Sequence, residues 1–171
     1  CFLVATLIAT LSLIEANGAP SPSSPGHPTL LSPHSDPIAV HQGKVFVVNT
    51  PADTLDVIDT ATEQIVTRIP TGIDPVSVSV RPDGKEVWVS NHISDSVSVI
   101  DNHSENATYL SVIATIQDID LEKKSTRFNE PVGIAFANNT KAYVALSSSN
   151  QIAVVDVAAR RVTKYLKITA Q

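Results

Sequence analysis

Residues 74–101 read DPVSVSVRPDGKEVWVSNHISDSVSVID, from Asp74 to Asp101. Valines alternate with serines over the first run, the period-2 pattern of an extended strand. Pro82-Asp83-Gly84-Lys85 then supplies a turn, with Pro82 pre-setting φ and Gly84 free to adopt the left-handed conformation. A second run, Val87 to Asn91, carries Trp88, and after the polar residues 92–95 a third run ends on Val99-Ile100-Asp101. Helical spacing of apolar residues is absent, so the stretch predicts three short strands in a meander.

The same unit recurs on both sides. Acidic-Pro pairs open it at Asp36-Pro37, Asp74-Pro75 and Glu130-Pro131. Second strands follow at VFVVN (45–49), VWVSN (87–91) and AYVAL (142–146), and third strands at LDVID (55–59), VSVID (97–101) and IAVVD (152–156). Fourth strands are expected at 64–69, 109–116 and 161–168. Asn49 and Asn91 are 42 residues apart, as are Asp59 and Asp101, whereas Asp101 and Asp156 are 55 apart, an insertion of 13. A period near 40 with four strands per unit is the mark of propeller blades. A lone four-stranded sheet has two apolar faces and can cover them only by stacking on neighbours. The expected fold is therefore all-β, a β-propeller of about three four-stranded antiparallel blades forming an incomplete ring. Its blades lie at about 37–70, 75–116 and 131–168, within a domain spanning 37–171.

These residues resemble the YVTN-type β-propeller repeat of the WD-repeat-like superfamily. Phe46-Val47-Val48-Asn49 and Trp88-Val89-Ser90-Asn91 match its naming tetrapeptide, and Tyr143-Val144-Ala145-Leu146 keeps the aromatic but not the Asn. Val57-Ile58-Asp59, Val99-Ile100-Asp101 and Val154-Val155-Asp156 match its second motif. The resemblance spans about residues 36–168 and implies a propeller, in proteins that are typically exported and seven-bladed. Its motifs are structural and name no chemistry.

Upstream, residues 2–14 read FLVATLIATLSLI, an apolar run too short to span a bilayer comfortably as a helix. Ala16 and Gly18 fit the small-residue positions of a signal peptidase site, so 1–19 is expected to be a signal peptide. Membrane attachment would come only through that segment left uncleaved. Residues 20–36 form a Pro/Ser-rich linker whose end, Leu30 to His34, is expected to lie against the first blade. The chain carries no Met, and its single Cys, Cys1, lies within the expected signal, so the mature part would hold no disulfide, thiolate metal site or Cys nucleophile. The expected location is exported: periplasmic, cell-surface or extracellular.

Net charge is −5 with no basic run, which argues against a nucleic-acid partner. Antiparallel strands place the loops that open a blade at the same end as the loops between second and third strands. That face collects His34, Asp36, Asn49, Asp53, Asp74, Asn91, His92, Asp95, residues 117–130 and residues 147–150. The other collects Lys44, Asp83, Lys85, Lys141, residues 102–108 and Arg160.

Repetition at equivalent positions marks Asp36, Asp74 and Glu130 as structural caps, Asp59, Asp101 and Asp156 as Asx turns, and Asn49 and Asn91 as ligands of turn backbone. Trp88 is expected in the core between blades. His34, His92 and Asp95 lack the spacing of a metal site, and no metal, cofactor or catalytic constellation is expected. The segment 117–130, QDIDLEKKSTRFNE, suits a partner-docking loop. The candidate binding residues are Asp118, Asp120, Lys123, Lys124, Arg127, Asn91, His92 and Asp95. The favoured function is a binding scaffold that presents loops to a protein, glycan or cell-envelope partner. The alternatives are a propeller accessory domain of a haem or quinoprotein-like redox enzyme, and a lactonase-like hydrolase.

Overall fold

The structure, a computed structural model, describes residues 33–168. Blade one consists of β1 (Ile38–His41), β2 (Lys44–Asn49), β3 (Thr54–Asp59) and β4 (Ile65–Pro70), with a 3-10 turn at Thr50–Ala52. Blade two consists of β5 (Pro75–Val80), β6 (Glu86–Asn91), β7 (Ser96–Asp101) and β8 (Val112–Ile116). A two-stranded hairpin, β9 (Ile119–Asp120) with β10 (Ser125–Thr126), precedes blade three, which is β11 (Pro131–Asn138), β12 (Lys141–Leu146), β13 (Gln151–Asp156) and β14 (Arg161–Lys167). Each blade is an antiparallel meander with its strands in sequence order. The described blades are those of an incomplete propeller, and no described helix is long and apolar enough to cross a membrane.

Local chemistry sets the turns. His41 pairs with Lys44, so Gln42 and Gly43 form a two-residue loop, with φ of 45° and 76°. Two positive φ values match the twist of the flanking strands. The expected Asx turns are present at Asp59, whose Oδ1 accepts the N–H groups of Ala61 and Thr62, and at Asp101, whose Oδ1 accepts that of His103, whereas Asp156 Oδ1 accepts that of Ala159, three residues on. The fourth strand of blade two is shorter than the sequence suggests. Leu110 sits at φ 57° and Ser111 N–H bonds Thr108 C=O, so 109–111 close a turn before β8 begins.

Alternation along each strand sends neighbours to opposite blade interfaces. On β6, Val87 and Val89 face blade one and join Phe46, Val48, Leu55, Val57, Ile69, Val78 and Ile100. Trp88 points the other way and joins Val97, Val99, Ile116 and Phe128 against Ala142, Val144, Leu146, Ala153 and Val155 of blade three. Every residue of β6 and β7 is buried, because blade two alone has both faces covered among the described blades. Trp88 meets Phe136 edge-to-face at 5.0 Å and donates its indole N–H to Glu86 Oε2 at 2.9 Å. Phe46, Trp88 and Tyr143 occupy the same register in successive blades, opposite Val57, Val99 and Val154. Blades one and two thus turn an aromatic toward the next blade, and Tyr143 holds the equivalent position in blade three.

The segment before β1 is already engaged. Ser35 N–H bonds Val76 C=O, and Asp36 C=O accepts Val78 N–H, covering part of the free edge of β5. His34 Nε2 lies 2.9 Å from Thr50 Oγ1, placing the linker end on blade one. The expected signal peptide and residues 20–32 of the linker, Leu30 and Leu31 included, lie outside the described residues.

Candidate partner-binding face

The blade-opening residues Asp36, Asp74 and Glu130 all adopt left-handed φ, at 52°, 63° and 47°. The sequence suggested that they cap the turns. The structure shows Asp74 and Glu130 capped in turn: Asp74 N–H donates to Asp53 Oδ1 at 2.8 Å and Glu130 N–H to Asp95 Oδ1 at 2.7 Å. The carboxylate comes each time from the loop between second and third strands of the preceding blade. Asp53, Asp95 and their counterpart Asn150 are left-handed too, at 55°, 48° and 49°, a conformation that Asp and Asn tolerate.

His92 continues this joint. Its Nδ1 lies 3.2 Å from Asp74 Oδ2, off the line of a hydrogen bond, and its Nε2 lies 3.7 Å from Glu130 Oε2. Ser147 Oγ donates to Glu130 Oε2 at 3.2 Å. His92 and Asp95 therefore sit at the seam of blades two and three. Asn91 is fully buried and donates to Ser96 Oγ and Ser98 Oγ, both at 3.0 Å, while Asn49 donates to Asp56 Oδ2. Both bond side chains on the neighbouring strand rather than the turn backbone expected from sequence. Gly72 presses on this site: a Cβ there would stand 2.4 Å from Ser94 Oγ and 2.7 Å from Asn91 Cγ. Asn91 is thus closed off from a ligand on the surface.

The segment 117–130 combines a fixed base with an exposed tip. Asp118 accepts the Tyr165 hydroxyl at 2.6 Å and Arg127 Nη2 at 2.9 Å, tying the hairpin to β14. Burial and then the Asp118 bond push the Tyr165 hydroxyl well above its usual pKa. Phe128 is fully buried in the core between blades two and three. Asp120 Oδ1 accepts Lys123 N–H at 3.1 Å, shaping the turn, and Lys124 takes a left-handed φ of 50°. The tip exposes Leu121 at 83% and Ile119 at 51%, with Lys123 and Lys124 beside them.

The candidate residues on this segment separate by role. Asp118 and Arg127 anchor, Asp120 sets the turn, and Lys123 and Lys124 reach solvent. Sequence reasoning missed Phe128 and Tyr165 as anchors and Leu121 as an exposed apolar group. An isolated Phe and Leu in a charged stretch were the available signals.

A family model described as YNCE-like beta-propeller matches residues 27–130. None of the curated proteins matches the chain. Among solved structures, hydrazine synthase of Kuenenia stuttgartiensis is similar at 25% identity and TM-score 0.62, over 74% of this chain and 33% of that one. Dihydro-heme d1 dehydrogenase NirN, in complex with DHE, is similar at 18% identity and TM-score 0.57, over 74% and 26%. U3-55K is similar at 14% identity and TM-score 0.59, over 75% and 37%. The chain spans between about a quarter and two fifths of the length of these proteins. Since 630 solved chains match, the likeness narrows architecture and leaves chemistry open.

Proposed function

The chain belongs to the YNCE-like β-propeller family, and from that premise we propose that it is part of an exported binding scaffold that presents loops to a protein, glycan or cell-envelope partner. The 117–130 hairpin supports this reading most directly. Its base is held by Asp118, Arg127, Tyr165 and Phe128, so ordering is already achieved before a partner arrives. Its tip combines exposed Leu121 and Ile119 with Lys123 and Lys124, an apolar centre with a charged rim that suits an acidic protein surface. The test is retention of the protein on envelope fractions of its own source. Leu121→Asp combined with Lys123→Glu should abolish retention while leaving the melting temperature unchanged; equal retention of the variant refutes the reading.

A second reading has one observation in its favour. The similar structure at 25% identity is a hydrazine synthase, which suits a propeller that accompanies an enzyme. A haem absorbance band in the protein expressed from its native reading frame would favour that reading over a plain scaffold.

A further inference from the structure

We propose that the cleft between blades two and three, on the face opposite the blade-opening loops, binds a small oxyanion, either a phosphate or a carboxylate group. The cleft has a volume of about 390 Å³ and is lined by Arg81, Lys85, Glu86, Asp101, His103 and Arg160, among others. That volume suits a small-molecule ligand.

The sign of the ligand follows from which groups are already committed. Asp101 Oδ1 accepts His103 N–H at 2.9 Å, and its Oδ2 accepts Asn106 Nδ2 at 2.9 Å and Thr108 Oγ1 at 2.5 Å. Glu86 Oε2 accepts the Trp88 indole, while its Oε1 lies 3.1 Å from Arg81 Nη1 and accepts Arg160 Nη2 at 3.2 Å. Both carboxylates are therefore used on both oxygens. Arg81 is used as well, since its Nε and Nη2 donate to Asp83 at 2.7 and 3.0 Å.

The spare donors belong to Lys85 and Arg160. Lys85 is exposed, and its ammonium makes no ion pair among the described residues. Arg160 spends only Nη2, on Glu86, leaving Nε and Nη1 of its planar fork. The His103 ring donates through Nδ1 to Asn106 Oδ1 at 3.2 Å, so Nε2 of the neutral ring is an acceptor and adds no donor. A cleft with spare donors and no spare carboxylate oxygen is complementary to an anion. Glu86 also holds Arg160 in place beforehand, which lowers the entropy lost on binding. The site joins two blades, since Arg160 belongs to the β13–β14 turn and the rest to blade two.

The experiment is calorimetric titration of the full chain with inorganic phosphate and, separately, acetate, at low ionic strength. Saturable binding of either probe is expected. Lys85→Ala should weaken it about fivefold to tenfold with an unchanged melting temperature, and Arg160→Lys, which keeps a cation near Glu86 but loses the fork, should weaken it comparably. Lys141→Ala, on the same face but outside the cleft, should leave it unchanged. Preference between phosphate and acetate identifies the head group. Failure of both probes to saturate overturns the proposal. So does Lys85→Ala binding as tightly as the parent, or an equal loss in Lys141→Ala, which would mean general charge attraction.

Discussion

Asp95 Oδ1 accepts the backbone N–H of Glu130 at 2.7 Å, so a side chain of one blade fixes the first residue of the next. Asp53 and Asp74 repeat the relationship one blade earlier at 2.8 Å. Each bond satisfies a donor that a left-handed opening residue turns away from its own sheet. Charge-assisted bonds of this kind contribute roughly 1.5–3 kcal/mol. Asp95→Ala should therefore lower stability by about 2 kcal/mol in urea denaturation, and Asp95→Asn, which keeps an acceptor and tolerates the same φ, by about half of that. Equal losses in both variants would show that the charge and not the acceptor geometry is what counts.

Trp88 should carry the largest single contribution of any side chain. It is fully buried and faces blade three. Trp88→Ala should cost about 3–5 kcal/mol through the cavity it leaves. Trp88→Phe should cost less, yet more than lost volume alone, because Glu86 loses its indole donor. As the only Trp in the chain, it also reports the interface by fluorescence. A wild-type melting temperature in Trp88→Ala would rule out its role in the core.

Acid should unfold the domain partly through Asp101. Burial alone would raise its pKa, but bonds from Thr108, the His103 N–H and Asn106 outweigh burial and hold it below the usual 3.8. A carboxylate with a depressed folded pKa contributes stability above the unfolded value and loses it as pH falls through the folded one. Melting temperature should thus drop as pH falls below about 4. Asp101→Asn should be less stable near neutrality and show a shallower acid slope. Parallel slopes for the two proteins would contradict the assignment.

Tyr165 offers the opposite sign. Its folded pKa is raised, so its contribution is complete below the unfolded value near 10 and declines as pH rises above it. Spectrophotometric titration should show Tyr165 ionising last of the three tyrosines. Tyr165→Phe should remove that late phase and speed proteolytic cleavage between 119 and 126, since Asp118 loses one of its two anchors. Unchanged cleavage would mean that Phe128 and the Asp118–Arg127 pair hold the hairpin without Tyr165.

Gly84 should not tolerate a side chain. Its φ is 74°, and a Cβ would come 2.1 Å from His41 Nε2 of blade one. Gly84→Ala should destabilise by more than 1 kcal/mol, from the left-handed backbone and the displaced imidazole together. Restoration of stability in a Gly84→Ala/His41→Ala double variant would separate the two causes.

The blades were legible because their signal is local. Val-Ser alternation at 76–80, the Pro82-Asp83-Gly84 turn and the 42-residue spacing of Asn49 and Asn91 each act through neighbours in sequence. The joints were not legible in the same way. That Asp95 serves Glu130, 35 residues on, depends on two blades meeting at a particular angle. Asn91 reads as a surface polar residue, yet it is buried because Gly72 carries no side chain to displace it. In the hairpin, the charges stood out and the anchors did not: Tyr165 lies 47 residues from Asp118. The oxyanion cleft required knowing which carboxylate oxygens were already used, which composition alone does not record.

Phe46 and Trp88 point toward the following blade and Tyr143 holds the same register in blade three, while Val87 and Val89, like Ala142 and Val144, receive the preceding one. The two surfaces of a blade are therefore different and not self-complementary. Stacking them is a heterologous, head-to-tail contact that fixes one sense of progression around the axis. A two-fold pairing of like faces would set Tyr143 against its own copy and match neither surface to its complement. The sequence thereby encodes a handed order of assembly as well as the shape of each unit.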